Sequence, residues 1–266
     1  MRTLQARHLL MATMLAAASP LVQAQAFDAV RLFGVPSEDG QGLAGLALIA
    51  GHEYLGSDER KLMAFPILDY QWKNGWFAGT SNGVGYQFAS PANMQYGVRV
   101  TADLGRRESA SSALAGVGNI DAAPELGAFF NYFITPEWFL TSSFRYGAGN
   151  DNDGVQVDVG AGYATQLSAQ WRVAVGIAGT YVNADYMQAF YGITPAQSAT
   201  SLYPGYTPGA GWRDIRGNAS VTYFFNKEWS ATAALTVRSL QGRVADSPLV
   251  REDTPLAGVL AVNYSF

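Results

Sequence analysis

Apolar and polar residues alternate with a period of two along most of the chain after residue 43. In the stretch 170–181, Val173 and Val175 share one face, while Arg172 and Ala174 share the other. Such alternation is typical of β-strands with one apolar and one polar face. It predicts an all-β protein of twelve strands: 43–54, 61–72, 76–81, 84–88, 94–104, 124–134, 138–146, 155–166, 170–181, 212–224, 229–240 and 255–266.

The strand count depends on the short stretch between residues 76 and 88. Ser81-Asn82-Gly83 divides it, and Asn-Gly is a strong signal for a tight hairpin. Two short strands give an even total, with both chain ends on one side and all the long connections on the other. Ten strands remain if this hairpin lies outside the wall. In the preceding strand, Pro66 lacks a ladder donor and predicts a bulge.

Short polar turns followed by tryptophan recur four times between the predicted strands. They read KNGW at 73–76, TPEW at 135–138, SAQW at 168–171 and NKEW at 226–229. Indole rings favour the interface between membrane and water, and short turns are typical of the periplasmic rim of an outer-membrane barrel. The pattern predicts an aromatic girdle made of Trp72, Trp76, Trp138, Trp171 and Trp229. A soluble sandwich with the apolar faces turned inward has the same period and is the competing interpretation.

The amino terminus resembles a secretory signal. Arg2 and Arg7 precede an apolar run at 9–18, and Ala24 and Ala26 provide the small residues that a signal peptidase recognises. The run is too short to span a bilayer, so strands of about 9–11 residues must make any crossing. We therefore expect a signal peptide at 1–26, a periplasmic segment at 27–42 and an antiparallel transmembrane barrel at 43–266, located in the outer membrane of a Gram-negative cell.

Charge and composition narrow the possible partners. Without Arg2 and Arg7 the chain carries 15 basic and 21 acidic residues, a formal charge of −6, which argues against nucleic acid. The chain has no cysteine and therefore no disulfide framework. Charged residues fall on the polar strand faces in similar numbers of each sign, which predicts ion pairs across a narrow lumen: Asp69, Arg99, Asp103, Glu125, Arg145, Asp158, Arg172, Asp214, Arg216 and Arg238.

No convincing catalytic or metal-binding group emerges from the sequence. After signal removal the one histidine is His52, and neighbouring Glu53 points to the opposite face of a strand. A hydrolase would need a serine, a histidine and an orienting group together. The acidic stretch 151–154 departs from a calcium loop, because position twelve is Gly162. We expect no enzyme activity, no cofactor and no metal.

The last strand ends on an aromatic face. Tyr264 and Phe266 lie two positions apart on the apolar side of a strand that closes the chain. This ending resembles the signal by which the barrel-assembly machinery recognises its clients. We expect the two residues to act in assembly, with that machinery and outer-membrane lipid as partners.

Five stretches resemble the MipA/OmpV family, in the order in which that family carries them. They are 54–59 (YLGSDE), 66–70 (PILDY), 118–127 (GNIDAAPELG), 186–197 (YMQAFYGITPAQ) and 246–250 (DSPLV). The resemblance implies an outer-membrane scaffold for murein synthesis that binds a lytic transglycosylase and a penicillin-binding protein. The alternative, suggested by the polar inward face, is a narrow pore or uptake channel for small solutes.

Overall fold

The computed structural model describes residues 40–266, which form one closed antiparallel barrel of twelve strands. Each strand pairs with its neighbours in sequence, and the first pairs with the last. The predicted fold class and strand count are confirmed. The strands are β1 (Gln41–His52), β2 (Arg60–Gln71), β3 (Trp76–Gly79), β4 (Gly83–Gln87), β5 (Met94–Asp103), β6 (Ala123–Phe133), β7 (Trp138–Ala148), β8 (Gly154–Gln166), β9 (Trp171–Val182), β10 (Gly211–Phe224), β11 (Trp229–Leu240) and β12 (Leu256–Ser265).

The strand faces follow the predicted alternation. In β6, Leu126 is 62% exposed on the outside, whereas neighbouring Glu125 is 0% exposed on the inside. Exposed leucines and valines form the outward face of other strands as well, including Leu260 and Val175. The apolar surface therefore faces out and the polar surface faces in, which is the arrangement of a barrel in lipid.

The short hairpin β3–β4 belongs to the wall, so the ten-strand alternative is wrong. β3 pairs with both β2 and β4, and β4 pairs with β5. Its turn is fixed to β2 by Asp69, which accepts hydrogen bonds from Ser81 N at 2.9 Å and from Ser81 Oγ at 2.7 Å.

The bulge predicted at Pro66 is absent, which corrects that prediction. Pro66 lies opposite Leu46 in an unbroken register that runs the whole length of β1 and β2. The opposite edge of β2 pairs with β3 only at Asp69–Gln71. A proline is tolerated beside such an unpaired edge, because no ladder bond is required there.

Two bulges occur elsewhere, and the alternation of apolar and polar residues does not predict them. The register of β10 against β9 shifts between Trp212 and Asp214. As a result Arg213 and Asp214, adjacent in sequence, are both buried in the barrel interior. A second shift lies at Gly147 of β7, whose φ of 130° suits glycine.

The connections differ sharply between the two ends of the barrel. Short turns close one end, where β1 begins and β12 stops. At the other end three connections are much longer, at 104–122, 183–210 and 241–255. They include two helices, α1 (Ala184–Tyr191) and α2 (Pro195–Thr200), and two 3₁₀ turns at Glu108–Ala110 and Ser112–Leu114. Within residues 40–266 no helix is long and apolar enough to cross a membrane. We call the connections 53–59, 104–122, 149–153, 183–210 and 241–255 together the cap.

Candidate functional site: the cap, the lumen and the turn rim

The cap has its own hydrophobic core across the mouth of the barrel. Leu55, Ile120, Met187 and Val244 belong to one buried cluster, although each comes from a different connection. The strand ends at Ala148, Val182 and Leu240 pack into the same cluster. Because side chains from four connections pack against one another, these connections form a single cap over this end.

A second cluster joins the outer part of the cap. Tyr54, Leu114, Val117, Ile193 and Leu249 are buried together. The Tyr54 hydroxyl donates to the carbonyl oxygen of Leu249 at 2.8 Å, which ties the first connection to the last. Four of the five stretches that resemble the family meet in this cap: 54–59, 118–127, 186–197 and 246–250.

Beneath the cap a network of buried charges lines one side of the lumen. Arg145 contacts Glu125 at 3.5 Å and Asp158 at 3.1 Å. Gln156 Nε2 donates to the second oxygen of Glu125 at 2.7 Å. Arg216 reaches Asp158 at 2.9 Å and so links this group to the next. Six of the ten residues predicted to form ion pairs across the lumen do form them, but along one wall rather than across it: Glu125, Arg145, Asp158, Asp214, Arg216 and Arg238.

Asp214 is the centre of the second half of the network. Its carboxylate contacts Arg213 at 2.7 Å, Arg216 at 3.0 Å and Arg238 at 3.5 Å. Arg213 also donates to the Tyr186 hydroxyl of α1 at 2.8 Å. The charged lumen and the cap are thus one connected structure. Of the predicted inward arginines, Arg172 is different, since it is exposed at the turn end.

The opposite side of the lumen is apolar. Ala47, Ile49, Ile67 and Ala261 are buried together on the inner face of β1, β2 and β12. Partly buried side chains extend this patch: Leu43, Met63, Phe65 and Val259. The interior is therefore divided between a charged wall and an apolar wall.

The five predicted girdle tryptophans lie at the turn end of the barrel and are all about half exposed. Each is paired with a tyrosine ring on the outer surface, with centroids 4.8 to 5.4 Å apart: Trp72 with Tyr70, Trp76 with Tyr86, Trp138 with Tyr163, Trp171 with Tyr223 and Trp229 with Tyr264. The sixth tryptophan, Trp212, lies near the opposite end, on the cap side of β10.

Three of the turns that precede these tryptophans share one hydrogen-bond pattern. Thr135, Ser168 and Asn226 each accept, through a side-chain oxygen, the backbone N–H groups two and three residues ahead. Short polar side chains stabilise turns in this way. The recurrence of turn and tryptophan in the sequence therefore has a local structural cause.

The carboxy-terminal residues complete the seam between β1 and β12. Phe266 exchanges two backbone hydrogen bonds with Gly42, of 2.7 and 3.0 Å. Its ring stacks with Tyr264 and Tyr70, with centroids 6.2 Å apart in both pairs, and is largely exposed on the outer face. Both aromatic residues of the proposed assembly signal are therefore accessible.

The remaining candidate residues do not form a reactive group. His52 Nε2 lies 3.2 Å from Glu252 Oε2, while Glu53 binds Lys61 at 2.7 Å. The stretch 151–153 is a turn between β7 and β8, with Asn152 in a left-handed conformation. No group of three His, Cys, Asp or Glu arranged for a metal occurs within residues 40–266. The predicted cleavage residues Ala24 and Ala26, and most of segment 27–42, lie outside the described residues.

The cap helices were not predicted from the sequence, although the signals are there. Asn183 accepts a hydrogen bond from Tyr186 N, and Thr194 and Gln197 form a capping box with Pro195 at the start of α2. Tyr186 and Phe190, four positions apart, are buried on one face of α1. Caps and i, i+4 spacing are recognised signs of a helix.

A closed barrel with an apolar outer face, an aromatic rim and a polar interior is the architecture of an outer-membrane barrel protein. The particular family follows from the sequence profile described as MltA-interacting protein MipA, which matches residues 44–266, so the chain belongs to the MipA family. Among curated proteins, none matches this sequence.

Solved barrels with low sequence identity have a similar outline. The NanC porin is 11% identical with a TM-score of 0.49, and the similarity covers 82% of this chain and 98% of the porin. An outer-membrane channel from Pseudomonas putida F1 is also 11% identical with a TM-score of 0.49, covering 89% of this chain and 100% of the channel. The KdgM porin is 10% identical with a TM-score of 0.46, covering 84% and 99%.

Proposed function

We propose that this barrel is a non-enzymatic scaffold for murein synthesis, which holds a lytic transglycosylase and a penicillin-binding protein at the outer membrane. The observation that carries the proposal is membership of a family whose description names interaction with MltA, over residues 44–266. Export by the signal peptide at 1–26 is part of the proposal.

The closed cap supports a role through contact rather than transport. Buried side chains from four connections pack together at the mouth of the barrel, and paired charges line one wall of the lumen beneath them. Short turns of such barrels face the periplasm, where murein is built, so the turn end is the side on which a murein enzyme can bind.

The candidate contact surface consists of the short turns and the amino-terminal segment. Lys73, Gln170 and Lys227 are exposed at the tips of three turns, and Glu137 is partly exposed in the fourth. The side-chain hydrogen bonds of three of these turns hold their backbone in one conformation, so a partner would meet a largely preorganised surface. The amino-terminal segment 27–42, which leads into β1, is the second part of the proposed surface.

The proposal is tested by capture of purified partners on the full chain in detergent. A lytic transglycosylase and a bifunctional penicillin-binding protein are passed over the immobilised barrel, and retained protein is measured. Three variants follow: the combined charge reversal Lys73→Glu, Glu137→Lys and Lys227→Glu; a deletion of 27–39; and the matched control Asp151→Lys, which reverses an exposed charge in the cap. We expect capture by the unmodified chain and by the control, with at least a tenfold loss in one of the other two.

Two results contradict the scaffold. The first is failure of the unmodified barrel to retain either enzyme at micromolar concentration. The second is equal loss of capture with Asp151→Lys, which would place the contact on the cap or show it to be nonspecific.

A further inference from the structure

Arg106 is a buried arginine in the cap, and no carboxylate within residues 40–266 is paired with it. It lies in the connection between β5 and β6, where its backbone exchanges hydrogen bonds of 2.8 and 2.7 Å with Ile120. Its side chain points into the cap and is 6% exposed. Within residues 40–266, no Asp or Glu oxygen lies within ion-pair distance of it. By contrast Arg145, Arg213 and Arg216 all contact carboxylates.

Most of the donors of this guanidinium are unused. Nη1 donates to the carbonyl oxygen of Phe190 at 2.6 Å, and Nε is buried without a hydrogen-bond partner in the described part of the chain. An arginine side chain has five N–H donors, and a buried charge is costly unless it is paired. The unused side of Arg106 therefore favours an anion.

Arg106 remains charged at neutral pH. Burial lowers its pKa to about 10, and the groups that oppose this are the hydroxyls of Tyr191, Tyr54 and Tyr186. Burial in turn raises the pKa of Tyr54 to about 12, so that hydroxyl is neutral under ordinary conditions. Burial likewise raises the pKa of Tyr186 and of Tyr191, so the three hydroxyls that act on this charge are neutral.

A small cavity lies beside the guanidinium. It has a volume of about 30 Å³, and Arg106, Tyr54, Tyr191 and His52 are among the residues that line it. A water needs roughly 10–15 Å³ on this measure, so the space suits one monatomic anion or two waters. Glu53 also lines the cavity, but its carboxylate is held by Lys61 at 2.7 Å.

We propose that this cavity is a halide site, in which chloride accepts hydrogen bonds from Nη2 of Arg106. A cavity of about 30 Å³ accommodates a single small anion, and we take chloride as its occupant. Hydrogen bonds in which both partners are charged are among the stronger ones in proteins.

The site would join three separate parts of the cap. Arg106 belongs to the β5–β6 connection, Tyr54 to the β1–β2 connection, and Phe190 and Tyr191 to α1. A bound chloride neutralises the charge at the point where these segments meet. Halide therefore stabilises the closed cap, while the barrel wall beneath is unaffected.

The test compares the purified barrel in sodium chloride, sodium bromide and sodium gluconate at equal ionic strength. Hydrogen exchange of peptides covering 104–122 and 184–206 reports on the cap, and peptides from β11 report on the wall. At a halide concentration ten times the dissociation constant, exchange in the cap should slow about tenfold relative to gluconate, with no change in β11. The slowing should saturate with halide concentration.

Arg106→Gln should abolish the halide response, whereas Arg243→Gln, which removes an exposed cap arginine away from the cavity, should retain it. Because Arg106→Gln can also loosen the cap by itself, crystals soaked in bromide give an independent measurement. An anomalous peak beside the Arg106 guanidinium supports the site. Absence of that peak, or a halide response that persists in Arg106→Gln, overturns it and leaves a cavity filled with water.

Discussion

Asp214 shows at the level of single residues how the barrel accommodates charge in its interior. One carboxylate, 0% exposed, neutralises parts of three arginines from two strands. Removing one partner from such a group leaves the other charges buried without compensation, which costs more than the intact pair contributes. The network is therefore sensitive to single substitutions.

We predict that Asp214→Asn destabilises the barrel by about 3–5 kcal/mol, since three arginines lose their shared counter-charge. The measurement is the temperature at which the folded band converts to the unfolded band on a detergent gel. Asp151→Asn, which changes an exposed carboxylate in the cap, is the control and should leave that temperature unchanged. A shift for Asp214→Asn no larger than that of the control would contradict the prediction.

Phe266 is a second single residue with a testable role, and we expect that role to be in assembly rather than in stability. Its ring is exposed, and its backbone bonds to Gly42 do not depend on the side chain. Phe266→Ala should therefore lower the amount of barrel in the outer membrane several-fold, while protein that does assemble unfolds within a few degrees of the unmodified chain. Leu260→Ala, on the same face but away from the end, is the control. Normal outer-membrane levels of Phe266→Ala would show that the ring serves only as a lipid contact.

Because every second residue of a strand points inward, the sequence predicts the interior residues well. It fails where the backbone departs from regular alternation. Asp214 and Arg216 were placed inside by counting every second residue. Arg213 was missed because the bulge in β10 turns two consecutive side chains inward. A bulge depends on pairing with the neighbouring strand, and the sequence of one strand alone does not contain it.

Among the structural elements, the turns are encoded locally. Asn226 Oδ1 accepts hydrogen bonds from Glu228 N at 3.0 Å and Trp229 N at 2.6 Å. Thr135 and Ser168 do the same in their own turns. Because each motif is complete within four residues, the sequence was sufficient to find these turns and the strands on either side.

We predict that Asn226→Ala lowers the free energy of unfolding by about 1 kcal/mol, since two backbone donors lose their acceptor. Lys227→Ala in the same turn, whose side chain makes no hydrogen bond in the described structure, should have no effect. Thermal unfolding of both variants in detergent measures the difference. Equal unfolding temperatures would mean that water replaces the side chain without cost.

The structure of the cap, unlike that of the turns, depends on contacts between residues far apart in the sequence. Its helices are short and their caps are clear, but the core that holds them is built from residues far apart, such as Tyr54 and Leu249. Loop length predicted on which side these connections lie. It gave no sign that they pack together, because that packing depends on a barrel that brings their ends near one another.

For the whole molecule, closure of the mouth determines permeability. We predict that the unmodified barrel gives no stable conductance in planar bilayers. Replacing 184–206 by a short Gly-Ser linker should open a conducting path, because this removes α1 and α2 together with Met187 and Tyr186 from the centre of the cap. β9 and β10 remain joined, since Val182 and Gly211 are neighbours in the wall.

The control for this experiment is Arg243→Gln. This variant alters the cap surface and should give no stable conductance. Conductance of the unmodified barrel equal to that of the shortened one would contradict closure. Failure of the shortened chain to shift on heating would show that the wall itself had not formed, and the same comparison is then made with Met187→Asp, which disrupts the cap core alone.

The origin of the residues in the cap core also restricts the order in which the barrel can assemble. Val244 and Leu249 come from the connection between the last two strands, whereas Leu55 and Tyr54 come from the connection between the first two. The core therefore cannot be completed until β12 has met β1. During biogenesis we therefore expect the cap to form together with the closing of the wall or after it, and not before.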